Sequence, residues 1–177
     1  MRKLLFSLLA AVPLLAVASP QGDESLGSAA GQAVQLPVAD HVVVLKSERR
    51  MLLMKGGEVL RSYRISLGLM PTGPKEHNGD YRTPEGRYRL GKRNAHSDYF
   101  LSVQVTYPNE DDVRRARRDH ENPGGAIMVH GQPNVPRHSP DYYSSQDWTD
   151  GCIALSDSDM LEFWLLTQSG IPIEIMA

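Results

Sequence analysis

The sequence predicts a mainly β fold, a β-sandwich with a few short helices at its ends, and three observations carry that reading. Short β-branched or apolar runs recur between Pro- and Gly-rich breaks, the terminal run Ile171 to Met176 alternates cleanly, and only two stretches carry helix-capping signals. With 177 residues, 41% hydrophobic and 23% charged, the chain fits one globular domain.

Taken in order, Met1-Arg2-Lys3, the apolar run Leu4 to Leu15 and Ala16-Val17-Ala18 have the form of a basic n-region, an h-region and a cleavage site. The run is too short to span a bilayer core of roughly 30 Å at about 1.5 Å per residue. Residues 1–18 are therefore expected to be a cleaved signal peptide, which implies export to the periplasm or cell-wall space with no membrane span after cleavage. Residues 19–38, rich in Gly, Ser, Ala and Gln, read as a flexible linker, leaving 39–177 as the folded domain. Cleavage removes Arg2 and Lys3 alone among charged residues, reducing 19 basic residues to 17 against 21 acidic ones. Electrostatic capture of nucleic acid is thereby disfavoured.

Three strands open the domain: His41 to Lys46, Met51 to Met54 after the turn at Ser47 to Arg50, and Val59 to Leu67 after Lys55-Gly56-Gly57-Glu58, together a β-meander. A Pro/Gly-crowded loop from Met70 to Gly86 follows, then strands at Arg87 to Leu90 and Phe100 to Val105. Asn109 is placed to cap a helix through Asp111 to Arg118, acidic at its start and basic at its end, with the basic cluster on a solvated face. Ala126 to Val129 reads as a buried strand that delivers His130 at its end. Ser156 and Asp159 have capping-box spacing for a helix through Met160 to Leu166, with Leu161, Trp164 and Leu165 expected to face the sheet and Gly170 expected to end it.

Cys152 is the only cysteine, so no disulfide forms within the chain. Its lone thiol is either a small buried hydrophobe or a nucleophile, and as a nucleophile it needs a nearby imidazole. Of the histidines at positions 41, 77, 96, 120, 130 and 138, only His130 follows a buried-strand pattern and precedes a glycine. His77, His96 and His138 read as solvated loop residues, and His41 and His120 as structural ones. Gly151 lets the backbone bend beside the thiol, and the N–H groups around Gly151 and Cys152 are candidate oxyanion donors.

Thr83-Pro84-Glu85-Gly86-Arg87-Tyr88, Val129-His130-Gly131 and Thr149-Asp150-Gly151-Cys152-Ile153-Ala154-Leu155, together with the leader, resemble the YkuD-type L,D-transpeptidases, also called the ErfK/YbiS/YcfS/YnhG group. The similarity runs from about Ala39 to the C terminus. It implies a YkuD-like β-sandwich over 39–177, with His130 as base, Cys152 as nucleophile, and Thr149, Asp150 and Gly151 completing the catalytic block. Asp150 stands where many members have a second histidine, and Ala154 where an arginine often sits. The resemblance further implies a cell-wall transferase of peptidoglycan synthesis and cell shape. Its acyl donor would be a peptidoglycan stem peptide, cut between diaminopimelate and D-alanine. Its acceptor would be the amine of a second stem or of a wall-attached protein, and no cofactor or metal is required. Three alternatives stay open: an L,D-carboxypeptidase or endopeptidase on the same scaffold, a zinc peptidase using His130, His120 or His138 with Cys152, and a non-catalytic wall-binding module. Tyr142, Tyr143 and Trp148 in the loop before Cys152 serve either as a rim for substrate or as packing.

Overall fold

The computed structural model describes residues 36–177, so the expected leader over 1–18 and most of the linker over 19–38 lie outside the described residues. The described chain runs β1 (His41–Leu45), β2 (Arg50–Lys55), β3 (Glu58–Arg64), β4 (Gly86–Ser97), β5 (Phe100–Val105), α1 (Glu110–Arg118), β6 (Met128–His130), α2 (Pro140–Ser145), β7 (Ile153–Ala154), α3 (Asp157–Leu166) and β8 (Pro172–Met176). This mainly β architecture with short helices is the one the sequence predicts. Among the described residues, no helix is long and apolar enough to cross a membrane.

The strands lie in the order β3-β2-β1-β8-β4-β5-β6-β7. The opening meander forms one edge, and the C-terminal strand β8 inserts between β1, to which it is parallel, and β4, to which it is antiparallel. Alternation drives the register: Val42 pairs with Ile173 and Val44 with Ile175, and all four side chains are buried. Pro172 sits at the first position of β8, where a missing N–H is tolerated in a central strand.

β4 joins the two halves of the sheet. Its residues 86–89 pair with β8, and its continuation from Leu90 to Ser97 pairs with β5. The sequence predicts only Arg87 to Leu90 as strand, because Gly91 and the polar residues beyond it carry no apolar alternation. The third strand, in turn, ends at Arg64 rather than Leu67. Ser66 and Gly68 instead make isolated bridges to Ala154 and Thr149, which tie this segment to the far edge of the sheet.

α3 also departs from its expected orientation. Met160, Phe163 and Leu166 are the buried residues, whereas Leu161 and Leu165 are 46% and 53% exposed. Six of the seven residues from Met160 to Leu166 are apolar, so the pattern has too little contrast to mark the inward face. Burying Phe163 contributes roughly 2–3 kcal/mol by area. Ser156 caps the helix by accepting from Asp159 N–H at 3.1 Å. The helix ends at Leu166, with Thr167 rather than Gly170 as its C-cap. Arg93 supplies the ending, donating to the Trp164 and Thr167 carbonyls at 2.5 and 2.8 Å while its guanidinium lies 3.9 Å over the Trp164 ring.

The Pro/Gly-rich loop between β3 and β4 is held by two buried lysines. Lys46 Nζ donates to Gly73 O, Thr83 O and Glu85 Oε1 at 2.6, 2.9 and 2.8 Å, using its whole donor capacity. Lys75 pairs with Asp80 at 2.6 Å, both side chains 4% exposed. Asp80 also accepts from the N–H groups of Glu76, His77 and Arg82. Burial pushes the Asp80 carboxyl up, yet Lys75 and those three N–H groups outweigh it and hold the pKa at about 2. α1 packs beside this loop with Asn109 and Asp112 forming a reciprocal capping box. Its basic cluster is not uniformly solvated, since Arg115 binds Asp112 and the Lys75 carbonyl.

Candidate active site

The site grows from the pairing of β6 and β7. These strands run parallel with Val129 opposite Ile153 and His130 opposite Ala154. Side chains alternate along each strand, so His130 and Cys152, one residue ahead of β7, project from the same face as diagonal neighbours. A cleft of about 420 Å³ opens there, lined by His96, Tyr99, His130, Trp148, Asp150 and Cys152 among others. Cys152 is partly exposed to it.

The turn that presents Cys152 is built from three residues. Thr149 is buried, and its Oγ1 accepts from Gly151 N–H at 3.1 Å while donating to Cys152 O at 2.7 Å. Gly151 has φ +128°, and a Cβ there would lie 2.7 Å from the Arg82 carbonyl. Only glycine fits this position without displacing backbone. The loop containing the Thr-Pro-Glu-Gly-Arg-Tyr motif thus packs directly beneath the thiol-bearing turn, and Thr83 Oγ1 accepts from Gly68 N–H at 3.1 Å to fix it there. Asp150 is exposed at the cleft edge. Of the two N–H groups that the sequence offers as oxyanion donors, that of Gly151 is engaged by Thr149 Oγ1. Among the described residues the Cys152 N–H has no acceptor.

His130 is 4% exposed and is clamped between neighbours. The following Gly131 N–H reaches the Tyr99 and Leu101 carbonyls, and Tyr99 and Trp148 lie against the imidazole with ring centroids 4.7 and 5.6 Å away. Nδ1 lies 2.7 Å from Gly131 O. A carbonyl only accepts, so Nδ1 carries the proton and Nε2 keeps a free lone pair. Burial lowers the His130 pKa to about 4 against the opposing effect of the Gly131 carbonyl, so the ring is neutral at pH 7. Burial likewise pushes the Cys152 thiol up, aided by Asp150 and opposed by the Met128 backbone and Lys75. Its Sγ lies 3.7 Å from Ala126 O, an acceptor that a neutral thiol satisfies. Both members of the pair are neutral at rest.

Other residues fall where sequence reasoning did not place them. His96 lies on β4 and lines the same cleft as Cys152, a position hidden because the strand's second half is polar. Trp148 lines the cleft, whereas Tyr143 is buried and packs the loop. Ala154, at the position where the resembled family often carries an arginine, is buried and bonded through both backbone groups to Ser66. Among the described residues no three His, Cys, Asp or Glu side chains converge as a metal-holding group.

Residues 39–175 match the family model YkuD, described as an L,D-transpeptidase catalytic domain. An Escherichia coli K12 protein named "Putative L,D-transpeptidase YafK" is 32% identical over 97 residues, covering 51% of this chain and 37% of its own length. The helical cell shape determining protein Pgp2 of Campylobacter jejuni superposes with a TM-score of 0.58 at 26% identity, over 76% of this chain and 46% of that one. An L,D-transpeptidase from Mycobacterium smegmatis shares the fold at a TM-score of 0.51 and 18% identity, over 77% of this chain and 58% of its own. The chain thus spans less than half the length of YafK and of Pgp2.

Proposed function

This chain belongs to the YkuD family of L,D-transpeptidase catalytic domains, and we propose that it is itself a cysteine acyltransferase acting on peptidoglycan stem peptides. The observation that carries the reading is that Cys152 and a neutral His130 with a free Nε2 line one open cleft. In this mechanism His130 Nε2 takes the thiol proton as Cys152 Sγ bonds to the carbonyl of the diaminopimelate L-centre. The oxyanion accepts from the Cys152 N–H, for which Thr149 holds the turn in place. Collapse breaks the C–N bond, the imidazolium returns its proton to the leaving D-alanine amine, and a Cys152 thioester remains. The amine of a second stem or of a wall-attached protein then attacks the thioester, giving up a proton through His130. An amide forms and the thiol is regenerated. Neither step calls on a cofactor or metal. Thr149, Gly151 and Asp150 shape the nucleophile turn, and the domain over 39–177 works in the periplasm or cell-wall space after loss of residues 1–18.

Incubation of the mature domain with purified disaccharide-tetrapeptide tests this reading. Release of D-alanine with formation of 3-3 dimers, abolished in Cys152→Ala, is the expected result. Shortened monomers in place of dimers would make the same site a carboxypeptidase, and turnover that survives Cys152→Ala would overturn the assignment of the nucleophile.

A further inference from the structure

The turn Asp98-Tyr99 joins β4 to β5, with Ser97 opposite Phe100. It carries Tyr99 onto the His130 imidazole. The two ring centroids are 4.7 Å apart, and the Tyr99 carbonyl accepts from Gly131 N–H at 3.1 Å. A Cβ at Gly131 would lie 3.0 Å from Phe100 Cβ, so the turn and the histidine segment meet with no space between them.

This turn does not hold its shape unaided. Phe100 has φ +60°, a left-handed conformation that a residue with a side chain keeps only where its surroundings impose it. Asn134 supplies the restraint. Its Oδ1 accepts from Phe100 N–H at 2.9 Å, its Nδ2 donates to Ser97 O at 2.8 Å, and its backbone N–H donates to Asp98 O at 2.9 Å. A primary amide carries donor and acceptor side by side, so one side chain serves both strand ends. Asn134 itself is not among the residues that line the nucleophile cleft, whereas Tyr99 is.

Tyr99 and Trp148 pack on the imidazole and keep water from it. His130 is 4% exposed, and burial is what lowers its pKa to about 4. The titratable groups around it are Cys152, Asp150, Asp98 and His96 along the cleft, and Asp157, which accepts from Gln132 N–H beside Gly131. Among the described residues none of these bonds to the imidazole, whose one hydrogen-bond partner is Gly131 O. The neutral state of the ring therefore depends on its cover, and the cover depends on the turn.

We propose that Asn134 is a positioning residue for His130, acting through the Asp98-Tyr99 turn to hold the Tyr99 ring over the imidazole. The inference rests on the reading of His130 as the base for Cys152. NMR titration of the His130 ring in the full chain reads the cover directly, and the pH profile of Cys152 acylation by a carbapenem reads its consequence. In wild type both should turn near pH 4. Asn134→Ala should move both up by about two units, toward the value of a solvated imidazole, and so lower the acylation rate at pH 5 about tenfold. Asn134 is exposed, so the variant is expected to fold. Tyr99→Ala should give the same shift, and adding Asn134→Ala to it should change nothing further, because both substitutions remove one cover. A His130 pKa that Asn134→Ala leaves unchanged, or shifts from the two substitutions that add, would overturn the proposal. The two readings fail separately. An Asn134-dependent His130 pKa with an acylation profile that ignores it removes the base and leaves the positioning residue, whereas acylation that follows a His130 pKa insensitive to Asn134 removes the positioning residue alone.

Discussion

In the loop around Lys75 and Asp80 and in the cleft around His130 and Cys152, titratable groups are withdrawn from solvent to different degrees and with opposite results. In the loop, Asp80 gains a lysine and three backbone N–H groups, and its pKa falls to about 2 despite burial. In the cleft, the Gly131 carbonyl on His130, and the Met128 backbone and Lys75 on Cys152, do not offset burial, so both groups are held neutral. Ionisation follows from both the depth of burial and the partners that favour the charged form, and at Asp80 the partners outweigh burial. The charged region braces the fold, and the neutral one sets an imidazole and a thiol on the lining of one cleft.

Removing a partner from the loop should break this contrast most strongly. Asp80→Asn leaves Lys75 charged and buried without its counterion, and a loss of about 3–5 kcal/mol is expected in urea unfolding. A smaller effect separates the regions by pH. His130 has a folded pKa of about 4 against 6.5 unfolded, so between these values the unfolded chain binds a proton that the folded one does not. Its contribution is complete above pH 6.5 and is lost as pH falls to 4, by about 3 kcal/mol, and His130→Gln should flatten that part of the stability curve. Asp80 acts lower, its contribution present above 3.8 and lost as pH falls through about 2. The smallest expected effect sharpens the comparison within the cleft. Thr149→Val removes the hydroxyl that links Gly151 N–H to Cys152 O, and acylation of Cys152 should slow about tenfold, measured by intact mass.

Much of this arrangement was legible in the sequence because local chemistry determines it. Asn109 and Ser156 cap the helices they were expected to cap, the isoleucines of β8 point inward, and a strand does deliver His130. What stayed hidden depends on contacts distant in the chain. Leu161 and Met160 are equally apolar, and only the sheet decides which is buried. Gly151 signals a tight turn, yet the Arg82 carbonyl that forbids a Cβ there lies far back in the chain. Thr149 reads as a motif position, but its capture of the Gly151 N–H appears only in three dimensions. His96 reads as a loop residue in sequence because β4 continues through polar residues that carry no strand period.

The most direct test of the neutral pair is the pH dependence of Cys152 acylation by a carbapenem, followed by intact mass in wild type and His130→Gln. The wild-type rate should fall on the acid side around pH 4, where His130 protonates, and stay level through neutrality. The variant should be slower by about 10²–10⁴-fold and should rise with pH as thiolate forms unaided. Superimposable profiles for the two proteins would contradict the account, since His130 would then have no part in moving the thiol proton.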